Sequence, residues 1–231
     1  MRGLNAVALR RRKYAVLLAL LLVSLAIQSF DVRAGAAATH SDIFRTVLGL
    51  AIFFVVFERP RERAGVAAIL VLAIATGWGR HFSSASLDYA LSLTLHALIA
   101  LFLWVAIWVI LRDLFRKPVL GAENVLGAIC GYLIAGDAWA HINAMTYLLV
   151  PAAYSFNQEV SALLAEWHGR TALFSYYSFA QMLTIGYADV TPVRAPATTL
   201  RLLGALFGLF YTAVVVSQFV GLAQSRRSET R

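Results

Sequence analysis

Few residues in this 231-residue chain could do chemistry. Its five histidines lack the spacing of a metal-ligand set, neither GxSxG nor HExxH occurs, and the one cysteine, Cys130, lies inside an apolar run. No enzyme and no cofactor are therefore expected. Two constellations remain. One is Asp137 with His141 a helical turn later, and with His96 in the preceding apolar run. The other is TIGYADVTP, residues 184–192, polar and glycine-containing between two apolar segments. Such a stretch supplies peptide carbonyls and a threonine hydroxyl, which are ligands for a partly dehydrated cation rather than tools for breaking bonds.

The elements that must hold these residues are membrane helices. Sixty per cent of the chain is hydrophobic and only 14% charged, and the apolar residues come in long runs rather than at amphipathic spacing. Six runs approach the ~20 residues needed to cross the hydrocarbon: 14–30, 43–57, 64–78, 87–111, 125–150 and 200–223. The second and third are short and reach across only if Arg45, Glu58, Arg63 and Arg80 extend into the headgroups.

A net charge of +8 could suggest nucleic acid, but the basic residues fall in short clusters between the runs, so none is expected as a partner. The clusters set topology instead. Fourteen of the 20 Lys and Arg residues flank alternate ends of the runs, at 2–13, 59–63, 112–117 and 226–231. Both termini are then cytoplasmic. Residues 1–38 carry a second reading, since a basic start, a 16-residue apolar stretch and the AGAAA run at 34–38 also describe a cleavable signal peptide. The charge rule does not separate the two.

Between the last two runs, Asn157 can cap a short outer helix bearing Val160, Leu163, Leu164 and Trp167 and ended by Gly169. Thr171 can cap a second helix, ALFSYYSFAQML, whose 12 residues rise about 18 Å and stop inside the bilayer. TIGYADVTP follows at once. Non-helical backbone at that depth survives only if buried by protein or lining a wet cavity. A half-helix with its negative dipole end inward, followed by carbonyl-rich extended backbone, favours a cation there.

At these residues the chain resembles the bacterial potassium-channel-like ion channels. Residues 174–223 look like their pore helix, filter and inner helix, with TIGYAD for the usual TVGYGD, and GYLIAGDAWAHINAMTYLLVP at 131–151 resembles their outer helix. The resemblance runs over about a hundred residues. It implies an all-α integral membrane fold of six transmembrane helices, with a re-entrant pore helix and filter between the fifth and sixth. It divides the chain into a front domain, 1–117, and a pore domain, 118–231. It also implies a bacterial plasma-membrane location, a closed ring of four identical chains, and an ion-binding filter of Thr184, Ile185, Gly186, Tyr187, Ala188 and Asp189. The permeant ion would be potassium.

The departures bear on selectivity. Ala188 stands where the family has a second glycine in a left-handed backbone, which costs a residue with a Cβ about 1–2 kcal/mol; a looser outer site that also admits sodium would follow. Leu183 replaces a threonine, and Tyr176 and Tyr177 replace bracing tryptophans. Asp189 either accepts a hydrogen bond from Tyr177, supporting the filter, or is a solvated rim charge that draws cations.

Other positions keep two readings each. Gly208, Thr212, Val216 and Val220 recur at four-residue steps and would line the lower pore and gate, with Phe219 beside Val220 at a constriction; alternatively Gly204 and Gly208 form a small-residue packing face, as Gly127, Gly131 and Ala135 do. Asp137, His141 and His96 form either a proton-sensitive intramembrane latch or a static neutralised pair. No arginine lies between Arg80 and Arg112, so no voltage sensor is expected, and the few residues after Gln224 leave no room for a nucleotide- or calcium-binding domain. Membrane lipid and copies of the chain are the expected partners, with no small-molecule ligand. The function expected is passive cation transport. The alternative is a non-conducting sensor or partner-binding membrane protein with a degenerate loop.

Overall fold

In the computed structural model, residues 13–34, 38–116, 122–165, 167–186 and 189–229 are described. Tyr187, Ala188 and the junction at 117–118 lie outside them. Long helices account for most of the chain: α1 (Lys13–Ala34), α2 (Ala38–Val56), α3 (Pro60–Gly79), α4 (Ala85–Arg116) and α5 (Ala122–Leu149). A short strand β1 (Tyr154–Phe156), one helical turn α6 (Gln158–Ser161) and a 3-10 turn (Ala162–Ala165) come next. Helix α7 (Trp167–Met182), strand β2 (Val190–Pro192) and the long α8 (Ala195–Glu229) complete the order.

Among the described residues, four helical stretches are long and apolar enough to cross a membrane: Glu62–Phe82, Leu87–Arg116, Glu123–Leu149 and Ala195–Ser217. Lys13–Gln28 is a shorter apolar helix. The chain is thus a helical membrane protein. Local chemistry sets the helix starts. Pro60 sits in the first turn of α3, where its missing N–H costs nothing, and Arg59 before it is extended at φ −84°, ψ 128°. Glu62, Asp88 and Glu123 stand in the first turns of α3, α4 and α5, against the positive end of each helix dipole.

Helix α4 packs against α3 and α5, while α1 lies on α2 and α5. Their contact builds the larger core around Leu17, Phe57, Ile107 and Ile134, none more than 2% exposed. The first helix is therefore part of the packed body: Tyr14 abuts Gly127, and its carbonyl accepts from Cys130 Sγ at 3.5 Å. Ion pairs gather the basic clusters at one end, joining Lys13 to Glu58 at 2.5 Å, Arg112 to Glu62 at 2.5 Å and Arg59 to Asp113 at 4.0 Å.

A second core holds Tyr154, Phe174, Tyr177, Val190 and Ala197. Here β1 pairs antiparallel with β2, Tyr154 opposite Pro192 and Phe156 opposite Val190. The strands tie the segment before α7 to the segment after its loop.

Candidate functional site: a short helix and its loop

Helix α7 has 16 residues, about 24 Å at 1.5 Å per residue, less than the ~30 Å of a bilayer's hydrocarbon. It starts earlier than the sequence suggests. Thr171 does not cap it; its hydroxyl donates to the Trp167 carbonyl at 2.8 Å from inside the helix. Nor does Gly169 end a helix, since it lies within α7, where a Cβ would meet the Leu163 carbonyl oxygen at 2.5 Å. Asn157 does precede a helical turn, but its side chain makes no capping bond and α6 ends at Ser161.

The C-terminal end of α7 is closed by its own backbone. Thr184 N–H donates to the Gln181 carbonyl at 3.1 Å, and Ile185 N–H to that of Ala180 at 2.9 Å. Thr184 sits between them in the left-handed region at φ 56°. This is the paired-bond helix ending usually made with glycine. Extended backbone was expected from Thr184 onward; the helix cap takes Thr184 first. Gly186 follows at φ 70°, a conformation suited to glycine. Leu183, Thr184, Ile185 and Gly186 are exposed in the single chain. The Arg201 guanidinium of α8 lies 3.8 Å from where a Gly186 Cβ would stand, a neighbour that sequence spacing does not announce.

Two contacts fix α7 against α8. A Cβ on Gly208 would collide with the Met182 carbonyl, and one on Gly204 with the Gln181 side chain. Gly204 and Gly208 thus pack against α7, while Thr212, Val216 and Val220 are exposed; the Thr212 hydroxyl donates to the Gly208 carbonyl at 2.8 Å.

A buried polar network holds α7 from the other side, and it was not anticipated from sequence. Asn143, fully buried, donates through Nδ2 to Ser178 Oγ at 2.9 Å and to Gln181 Oε1 at 3.5 Å. Its Oδ1 accepts from the Tyr154 hydroxyl at 2.9 Å. Gln181 Nε2 then donates to the Leu200 carbonyl at 2.7 Å. Asn143 so couples α5, β1 and α7, and Gln181 carries the network on to α8. The only signal in the sequence was a lone asparagine in an apolar run.

At the loop's far end, the hydroxyl that reaches Asp189 belongs to Tyr176, at 3.3 Å, not to Tyr177. The Tyr177 hydroxyl is buried with no partner among the described residues; its ring packs edge-on against Tyr154 at 5.8 Å between centroids.

The front helices carry the remaining predicted residues. His96 and His141 meet at 2.7 Å between their Nδ1 atoms, so one donates and the other accepts. Asp137 does not join them: its Oδ1 has no hydrogen-bond partner among the described residues. His96 also stacks on Trp167, 4.1 Å between centroids, and the Arg80 guanidinium covers that indole at 4.3 Å. Beside them Asp42 accepts hydrogen bonds from His81 at 2.8 Å and from His168 at 3.1 Å. Burial acts to raise the Asp42 pKa, but these bonds and the Arg45 charge outweigh it and hold the carboxyl below its ordinary 3.8. Among the described residues no cluster of three His, Cys, Asp or Glu could hold a metal.

These features define a helical membrane protein in which a short helix is wedged between two long ones and ends in an exposed loop. No family model, curated protein or solved structure matches the chain.

Proposed function

We propose that this protein is a homotetrameric cation channel that conducts potassium passively across the plasma membrane, with the loops after α7 from four copies forming the ion path. The observation that carries this reading is α7 itself. It is too short to cross a bilayer, its end is backed by Gly208 of α8, and exposed non-helical residues, 183–186, follow. In hydrocarbon, backbone carbonyls without partners cost several kcal/mol each, so such a segment calls for a wet, protein-lined passage. A negative helix end aimed at that passage favours a cation.

The tetramer draws support from α8. Leu202, Leu206, Leu209 and Phe210 are exposed in the single chain, and neighbouring copies around a central axis would cover part of that surface. The ion pairs at the Lys13, Arg59 and Arg112 end favour a cytoplasmic position for that end and for both termini. On this reading the six apolar runs carried by α1 to α5 and α8 are the spans, residues 1–117 form the front domain and 118–231 the pore.

The test is flux. Purified protein in potassium-loaded vesicles should release potassium, with sodium measured in parallel, and Gly186→Asp should abolish the release. Absence of flux from protein shown to be tetrameric, or a purified monomer or dimer, would overturn the proposal and leave the non-conducting alternative.

A further inference from the structure

Between the front helices lies a cavity of about 100 Å³, several times the roughly 10–15 Å³ that one water requires. Leu48, Ile52, Leu70, Ile74, Phe102 and Leu103 give it apolar walls. Into the same space come Arg45 of α2, Gln28 of α1, and Asp137 and His141 of α5. Three buried polar atoms on these residues have no hydrogen-bond partner among the described residues: Gln28 Oε1, Asp137 Oδ1 and His141 Nε2. Each such atom left unsatisfied costs about 1–3 kcal/mol. The neighbouring polar atoms are occupied, since Gln28 Nε2 donates to Ser24 Oγ at 3.3 Å and the Trp78 indole to Thr46 Oγ1 at 3.3 Å.

The charges on the wall decide the class of occupant. Arg45 makes no ion pair within 4.0 Å among the described residues, nor does Asp137. Asp42 also lines the cavity, but its carboxylate is taken up by His81 and His168 and makes no ion pair with Arg45 within 4.0 Å among the described residues. A simple cation would satisfy Asp137 and Gln28 Oε1 but leave Arg45 without a directly bonded anion; a simple anion would leave Asp137 without a donor. Apolar walls with a few convergent polar groups are the usual make-up of a small-molecule site.

We propose that this cavity binds a small zwitterion with an aliphatic body, the chemistry of a free branched amino acid. Its ammonium donates to Asp137 and to Gln28 Oε1, its carboxylate accepts from the Arg45 guanidinium, and its side chain lies against the leucines and isoleucines. Trp167, the first residue of α7, also lines the cavity, so an occupant touches the helix that carries the loop. Binding itself does not depend on conduction.

The test uses the purified full chain in nanodiscs and three probes with related apolar bodies: L-leucine, 3-methylbutan-1-amine, which lacks the carboxylate, and 4-methylpentanoate, which lacks the ammonium. Calorimetry should show saturable leucine binding, with each single-charge probe at least about tenfold weaker, as loss of a charge-assisted contact requires. Arg45→Gln and Asp137→Asn should each weaken leucine by a similar factor, with their unfolding midpoints as the folding control. No saturable binding, equal binding of the three probes, or unchanged affinity in both folded variants would overturn the proposal. If neither variant folds, the three-probe comparison on the native chain decides it. Because binding is read directly, failure here is distinguishable from failure to conduct.

Discussion

The carbonyl of Met182, the last residue of α7, occupies the space that a Cβ on Gly208 of α8 would need, with the Met182 Cα and carbonyl carbon each 2.9 Å from that position. Backbone cannot rotate aside as a side chain can, so Gly208→Ala must push the two helices apart. Overpacking of this kind costs about 1–3 kcal/mol. At Gly204 the obstructing group is the Gln181 side chain, which can yield at the expense of its bond to the Leu200 carbonyl. Gly208→Ala should therefore lower the thermal midpoint of the detergent-solubilised protein more than Gly204→Ala does. Equal midpoints would show that α7 and α8 are not held at this contact.

Asn143 gives the second prediction. Its replacement by alanine removes a group bonded to Ser178, Gln181 and Tyr154 at once and leaves buried donors and acceptors unpaired. At about 1–3 kcal/mol for each group stranded, Asn143→Ala should destabilise the protein by roughly 2–4 kcal/mol, well above the cost of losing one hydrogen bond. Chemical unfolding followed by tryptophan fluorescence would measure it. A loss under about 1 kcal/mol would mean that water replaces the network.

The apolar runs are legible as helices, since each lies within a helix or overlaps one closely, but among the described residues only four helical stretches are long and apolar enough to cross a membrane. Their ends are less legible. The run at 200–223 becomes Ala195–Glu229, since polar flanks continue a helix that apolarity alone does not register. The short helix and the exposed loop after it were also readable, because apolar spacing and a following Gly-containing turn are local features. What sequence does not reveal is pairing at a distance. Strands of three residues are too short for an alternation signal, and their partners lie more than thirty positions apart. The cavity between the front helices is likewise made by six helices together, α7 contributing Trp167. The choice of Tyr176 over Tyr177 for Asp189 depends on the rotation of α7 about its own axis, which its packing against α5 and α8 sets rather than any local pattern.

That rotation yields a direct comparison. Tyr176→Phe removes a partly exposed 3.3 Å bond to Asp189, a loss of under about 1 kcal/mol in stability, yet it frees the carboxylate at the rim of the proposed ion path. Tyr177→Phe removes no hydrogen bond found among the described residues and keeps the ring against Tyr154. In the vesicle assay, Tyr176→Phe should change the ratio of potassium to sodium flux while Tyr177→Phe leaves it unchanged. The opposite pattern would assign the support of Asp189 to Tyr177.

The acid dependence of stability has a specific source in Asp42, which precedes the apolar run 43–57. Its carboxylate joins α2 to His81, beyond the end of α3, and to His168 in α7. Its side chain is only 16% exposed. Because its pKa is held below the ordinary 3.8 in the folded protein, the folded state favours the ionised form. The associated stability is fully present above about pH 4 to 5 and is lost as pH falls through the lower folded value. Asp42→Asn should then cost about 1–3 kcal/mol near neutrality, and the acid limb of its unfolding midpoint below about pH 4 should be flatter than that of the native chain. Differential scanning calorimetry from about pH 7 to pH 3 separates the two effects. A variant as steep in acid as the native protein would assign the transition to another carboxylate.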